Sequence, residues 1–254
     1  MIRIENISYK IGNKTILENI STTFEPGKIN LIIGPNGAGK STLIKLISGQ
    51  IKPSEGRLFF SEYTNNLSID QLAKRRAVLS QNIEVHFPIN VQEIVMMGRY
   101  PHFDSIPTPK DREIVNKVVA FFEIENLVER NFMTLSGGEK QRVHFARVMA
   151  QIWEEEEDRI LIMDEPLTFL DIHYQYDFMY KIKELSKQKK LLIIGVLHDL
   201  NLTAKFADQI YVINKGYLKY TGTKKEIFKP EIIEKIYAIK PMIFQKENEY
   251  FISF

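Results

Sequence analysis

The chain has 254 residues and is 44% hydrophobic, which is enough for one compact domain with a full core. Its 34 lysines and arginines stand against 32 acidic residues, and a net charge of +2 gives no electrostatic case for gripping DNA or RNA. The absence of cysteine excludes disulfides and thiolate metal sites, and no apolar run approaches the roughly 18 to 20 residues needed to cross a bilayer.

Met1-Ile2-Arg3-Ile4-Glu5 alternates as a strand, with no signal-peptide apolar region, and residues 1–28 are expected to form an antiparallel edge. Residues 29–33 are a short apolar run that reads as a buried strand. Gly34-Pro35-Asn36-Gly37-Ala38-Gly39-Lys40-Ser41-Thr42 follows, and residues 40–48 read as the start of a helix. This is the strand, loop and helix context of a phosphate-binding loop. Glycines at 34, 37 and 39 let the backbone curl with its N–H groups inward, toward an anion that also meets a positive helix end. Lys40 is then placed to reach the β- and γ-phosphates of a nucleotide. Ser41 offers a hydroxyl to Mg²⁺, an ion that keeps several waters and takes other ligands from phosphate oxygens.

Ala77-Val78-Leu79-Ser80 is strand-like and leads into Gln81. Residues 90–98 and 109–130 have helical spacing of apolar positions, separated by a stretch whose prolines, Pro101 and Pro107, break any helix. Leu135-Ser136-Gly137-Gly138-Glu139 then opens another helix whose amide end can face an anion. Glu154-Glu155-Glu156-Glu157-Asp158 reads as a solvated acidic loop, because adjacent carboxylates in a flexible segment impose no metal geometry.

A second buried run, residues 160–163, ends in Asp164-Glu165-Pro166 and puts two carboxylates at the carboxyl end of a strand, where open α/β sheets bind ligands. Asp164 would anchor Mg²⁺ through water and Glu165 would act as general base on the attacking water. The apolar run of residues 191–197 ends in His198, which places an imidazole at the same sheet edge, facing the γ-phosphate. His86, His102, His144 and His173 read instead as packing residues. Asn214-Lys215-Gly216-Tyr217 reads as a hairpin turn with Gly216 at positive φ. Residues 1–80 and about 158–225 thus alternate strands with helices, the pattern of a mostly parallel sheet covered by helices.

On the phosphate loop, the Leu135-Ser136-Gly137-Gly138-Glu139-Lys140-Gln141 signature, Asp164-Glu165 and His198, the chain resembles the nucleotide-binding subunits of ATP-binding-cassette (ABC) transporters over essentially its whole length. The resemblance implies an α/β fold: a P-loop NTPase (RecA-like) core with an antiparallel β edge and an inserted α-helical signature lobe. It implies one domain over residues 1–254, with a core lobe at about 1–80 and 158–225, a helical lobe at about 85–157 and a C-terminal segment at 226–254.

The same resemblance gives several residues a role. Tyr9 would stack on adenine, and Gln81 would link the Mg²⁺ site to a membrane partner. Asp171 would communicate across a dimer. Ser136, Gly137, Gly138 and Glu139 would face the γ-phosphate of ATP held by the opposite subunit. Two copies would then sandwich two ATP molecules head to tail, beneath two permease subunits fed by a substrate-binding protein, on the cytoplasmic face of the cell membrane.

Val196-Leu197-His198-Asp199-Leu200-Asn201-Leu202 resembles importers of iron complexes, haem and cobalamin. Met97-Gly98-Arg99-Tyr100-Pro101-His102 and the stretch from Ala146 to Trp153 are most similar to haem importers, with ferric-siderophore and cobalamin importers as alternatives. Leu167-Thr168-Phe169 replaces the family's commoner Thr-Ser-Ala and leaves the resemblance untouched. Cassette ATPases outside transport are a remoter alternative, because they usually carry a long coiled coil or two fused cassettes, and this chain has no heptad run.

Overall fold

β1 (Ile2–Ile11) buries Ile2, Ile4 and Ile7 and β2 (Lys14–Phe24) buries Leu17, Ile20 and Phe24; the two pair antiparallel with register shifts that break a strict alternation of burial, while β4 (Glu55–Phe60) joins the other side of β1. The expected antiparallel edge is therefore a three-stranded sheet of its own, in the order β2-β1-β4. The computed structural model describes residues 1–60, 68–80, 85–154, 158–187, 191–247 and 249–254.

The main sheet is built from the continuous apolar runs, as buried parallel strands require. Its order is β5-β6-β7-β3-β8-β9, from β3 (Ile29–Ile33), β5 (Arg76–Leu79), β6 (Arg159–Asp164), β7 (Leu191–Val196), β8 (Gln209–Asn214) and β9 (Tyr217–Gly222). All neighbours pair parallel except β8 and β9, which form an antiparallel hairpin. Helix α1 (Lys40–Ile47) fills the space between the two sheets: its Leu43, Ile44, Leu46 and Ile47 share one apolar cluster with Ile2, Ile4 and Ile7 below and with Ile32, Ile162 and Ile194 above.

The other face of the sheet is covered by a second cluster that runs on into the helices of the middle of the chain. After α2 (Ile69–Arg75) come α3 (Val91–Met97), α4 (Pro109–Phe121) and α5 (Gly137–Gln151), which pack on one another. Each of these four helices starts with a reciprocal capping box, for instance Asn90 with Glu93 and Thr108 with Asp111, which satisfies two otherwise orphaned N–H groups. The helical spacing over 109–130 is cut short: α4 stops at Phe121 because Glu123 takes φ 53, and Arg142 donates to the Glu123 carbonyl at 3.3 Å. Pro101 lies inside a single 3-10 turn, Tyr100–His102.

One charged side chain is enclosed by these helices. Arg99, 1% exposed, donates to Asp111 and to Glu154 at 2.9 Å each and to the Ala150 carbonyl at 2.8 Å. Lys110 also pairs with Glu154. The acidic run is thus more than a solvated loop at its first residue, while residues 155–157 lie outside the described residues. For Asp111, burial raises the pKa, but hydrogen bonds from Thr108 and Arg99 outweigh it and hold the carboxyl below its ordinary value; Glu154 is lowered in the same sense, burial again opposing, by Lys110 and Arg99.

Removing one partner of a buried ion pair leaves the other charge uncompensated, so Arg99→Ala is expected to lower the unfolding free energy by about 3–5 kcal/mol in urea titration at neutral pH. Folded pKa values below the ordinary 3.8 of Asp111 and 4.5 of Glu154 mean stability that is present above those values and lost as pH falls through the folded ones. The gap between Arg99→Ala and the unaltered chain should therefore narrow in acid.

The remaining elements are α6 (Ile172–Ser186) and α7 (Leu200–Phe206), which flank β7, and α8 (Lys224–Ile227), α9 (Pro230–Tyr237) and the hairpin of β10 (Met242–Lys246) and β11 (Glu249–Ser253), which form the C-terminal segment. No helix among the described residues is long and apolar enough to cross a membrane.

Candidate active site

Three of the parallel strands, β3, β6 and β7, release their chains into one site at their carboxyl ends. β7 lies between the other two, so the residues after it face both the phosphate loop and the acidic pair.

The loop after β3 has the conformation that its glycines permit. Gly34, Gly37 and Gly39 have φ of 148, 73 and 105, and a Cβ on Gly34 would strike the Ile213 carbonyl of β8. The loop is also held from behind by the β8-β9 turn, since Gly216 N–H donates to Ala38 O at 3.0 Å and Gly216 O accepts from Glu18 N–H at 2.9 Å. Both turn residues, Lys215 at φ 51 and Gly216 at φ 81, are left-handed. Sequence reading found the turn and missed this supporting role, for which only the Asn-Lys-Gly spelling was a signal.

Lys40 opens α1 and folds back over the loop, its Nζ donating to Gly34 O at 2.8 Å and Pro35 O at 3.0 Å. Burial pushes its pKa down, against the pull of the nearby Glu165 and Asp164. Asn36 and Gly37 are exposed at the tip, and Ser41 and Thr42 are half-buried on the first turn of α1.

Ser41 Oγ lies 3.2 Å from Asp164 Oδ1 at the end of β6. Burial, helped by the charge of Glu165 and opposed by the Ser41 hydrogen bond, raises the Asp164 pKa. Two hard oxygen donors with an under-compensated carboxylate suit Mg²⁺, which takes one or two protein ligands and completes its shell with water and phosphate oxygens. Among the described residues no group of three His, Cys, Asp or Glu side chains could make an all-protein cage.

Glu165 stands at φ 52, a left-handed conformation that costs a non-glycine residue of order 1 kcal/mol or more. The next turn holds it there, with Thr168 Oγ1 donating to Glu165 O at 3.0 Å and Glu165 N–H donating to Val196 O at 3.2 Å. Its Oε1 meets His198 Nε2 at 2.5 Å. The pair opens on a cavity of about 190 Å³ whose wall includes Thr168, Gln175 and Leu202. A carboxylate beside an imidazole, next to a phosphate loop, can orient a water for attack on a terminal phosphate.

The signature residues open α5, with Ser136 as cap: its Oγ accepts from Glu139 N–H at 3.3 Å, and Glu139 accepts from Ser136 N–H at 2.8 Å and from Arg130 at 3.0 Å. Gly137 and Gly138 pack beside Phe169. One residue of the signature reaches the turn after Glu165 within the chain: Gln141 Nε2 donates to Pro166 O at 2.8 Å. Asp171 caps α6, accepting from Tyr174 N–H at 3.0 Å, between Phe169 and Ile172, which are 72% and 74% exposed. Tyr9 is half-buried against the cluster that holds α1. Gln81 lies outside the described residues.

Of the other histidines, His102 Nε2 lies 2.8 Å from Gln151 O and His144 is buried edge-on to Phe132, as packing residues; His173 is exposed with its ring edge-on to Tyr174, and His86 is exposed, against the packing role expected of it.

A phosphate loop on a central parallel strand, with a serine and an acidic pair converging on it, defines an α/β nucleotide-binding protein of the P-loop NTPase fold. The model of the ABC transporter family matches residues 17–168, and the chain belongs to that family. It is 36% identical over 240 residues to the hemin import ATP-binding protein HmuV of Escherichia coli O157:H7, covering 94% of this chain and 92% of that protein. It is 37% identical over 253 residues to the protein of the same name from Pseudoalteromonas translucida (strain TAC 125), covering 98% and 97%. Among solved structures, an ATP-binding cassette of an ABC transporter in its ADP conformation superposes with a TM-score of 0.80 at 26% identity, over 94% of this chain and 98% of that one. The dimeric structure of a bacterial ABC transporter cassette does so with a TM-score of 0.75 at 26% identity, over 88% and 99%.

Proposed function

We propose that this chain is the ATP-hydrolysing subunit of a haem importer, working as a homodimer beneath two permease subunits that a substrate-binding protein supplies. The observation that carries the cargo is the near full-length similarity to hemin import ATP-binding proteins from several bacteria. Nothing in the site touches cargo, so its chemistry supports the ATPase half of the reading and is silent on haem.

In this reading the loop amides of Gly34 to Thr42 hold the phosphates, Lys40 turns from the Gly34 and Pro35 carbonyls to the β- and γ-phosphates, and Tyr9 lies under adenine. Ser41 and Asp164, with Gln81, would hold Mg²⁺, which neutralises phosphate charge when bound. Glu165 takes the proton of the attacking water, and His198 orients Glu165 and faces the γ-phosphate. Ser136, Gly137, Gly138 and Glu139 meet the nucleotide of the opposite subunit, and Asp171 lies at the seam. ATP closes the dimer because it binds the closed form more tightly, and hydrolysis removes that preference. The two-lobe division at about residues 85 and 157, with the C-terminal segment from 226, and attachment to the inner face of the cell membrane through the helical lobe belong to the same reading.

Growth on haem as sole iron source tests the cargo. A deletion strain should fail on haem, recover with the unaltered chain and stay deficient with Glu165→Gln, while growth on siderophore iron and cobalamin-dependent growth are unaffected. Normal growth on haem, with loss on one of the other sources, would transfer the cargo there and leave the ATPase standing.

A further inference from the structure

Asn201 lies three residues beyond His198, in the stretch that distinguishes this chain in sequence, and has no part in the chemistry above. Its carboxamide makes a two-point contact with the last strand of the protein: Nδ2 donates to Ile252 O at 3.1 Å, and Oδ1 accepts from Ile252 N–H at 2.7 Å. Ile252 pairs with Ile243 across the hairpin, and its N–H and C=O both turn outward, as at every second position of an antiparallel strand. Those edge groups would otherwise face solvent, and Asn201 takes both as a neighbouring strand would.

The contact joins two elements that each need a support. Helix α7 has seven residues, too few to be stable on propensity alone, so packing must fix its position. Its first turn is tied to the residue after His198: Asp199 accepts from Leu202 N–H at 2.8 Å, and Thr203 Oγ1 donates to Asp199 O at 2.8 Å. The hairpin meets the same helix through buried Ile252, which Asn201 holds, and through Lys205 and Glu249 at 3.5 Å. Between α6, α7 and the hairpin is a cavity of about 400 Å³, which shares Gln175, Asp199 and Leu202 with the cavity of Glu165 and His198. A shift of α7 away from β11 would therefore move the wall of the catalytic cavity and the backbone that carries His198.

We propose that Asn201, by clamping α7 to the C-terminal strand Glu249–Ser253, is a positioning residue that sets His198 against Glu165. This rests on the reading of His198 as part of the hydrolytic site. It makes the C-terminal hairpin a working part of that site, although it lies 51 residues away in the chain.

A double-mutant cycle on the full-length chain tests it, with kcat for ATP hydrolysis and ATP Kd measured separately. Asn201→Ala is expected to lower kcat about tenfold with ATP Kd within about twofold, and to add no further loss in a His198→Ala background. An equal loss in both backgrounds, or no loss in either, overturns the clamp. Full activity of His198→Ala alone overturns the reading of His198, and the clamp with it, and is distinguished from the former case by that single variant. Should Asn201→Ala fail to fold, Asn201→Asp carries the same cycle, since it keeps the acceptor for Ile252 N–H and loses only the donor.

Discussion

Glu165→Gln is expected to lower kcat for ATP hydrolysis by about 10² to 10⁴-fold, the usual worth of a positioned general base, and to leave ATP bound. The substitution keeps the side-chain length, so the amide still reaches His198 Nε2, now at 2.5 Å from Glu165 Oε1. It also keeps the backbone anchors, because Thr168 and Val196 bond the main chain of residue 165 and not its side chain. What is lost is the capacity to take a proton. ATP then remains intact, and a dimer closed by its preference for ATP stays closed. Size-exclusion chromatography with saturating Mg-ATP should show the Glu165→Gln chain as a dimer and the unaltered chain returning to monomer as ATP is consumed. A variant that stays monomeric would overturn the sandwich arrangement. A variant that hydrolyses ATP at the original rate would remove Glu165 from the role of base.

The residues that this prediction uses were legible in sequence because each sits where a strand ends. Apolar runs fix β3, β6 and β7, and the polar residue that follows each run must then lie at the sheet edge, so Gly34, Asp164, Glu165 and His198 converge without any knowledge of packing. What sequence did not give depends on contacts between distant positions. Arg99 and Glu154 are 55 residues apart, and no local pattern marks an acidic run as the partner of a buried arginine. Asn201 and Ile252 meet through backbone atoms, which carry no residue signature. The end of α4 depended on a left-handed Glu123, a residue type with no preference for that conformation, stabilised by Arg142 from another helix. Glu165 is left-handed for a similar reason, since the strain is held by Thr168 and Val196 and is invisible in the spelling Asp-Glu-Pro.

Lys40 invites the opposite experiment, one in which the fold keeps its stability and the ligand is lost. Lys40→Met preserves the length and apolar stem of the side chain and removes the ammonium. Without nucleotide that ammonium is buried, lowered in pKa by burial, and held by two carbonyls, so its removal trades a desolvated charge for two lost hydrogen bonds. These terms oppose each other, and the nucleotide-free protein should unfold within about 1 kcal/mol of the unaltered chain. ATP is another matter: charge-assisted contacts to phosphate are worth about 1.5–3 kcal/mol each, so the loss of one or two should weaken binding by roughly ten- to a thousandfold or more. The separation shows in thermal melts. At ATP about 100 times the original Kd, the unaltered chain gains about 2.7 kcal/mol from bound ligand, and the variant should gain a fraction of that. An equal rise in melting temperature for both chains would show that the backbone amides of residues 34–42 hold the phosphates without Lys40, and would move the lysine from binding to the transition state, where kcat and not Kd would report it.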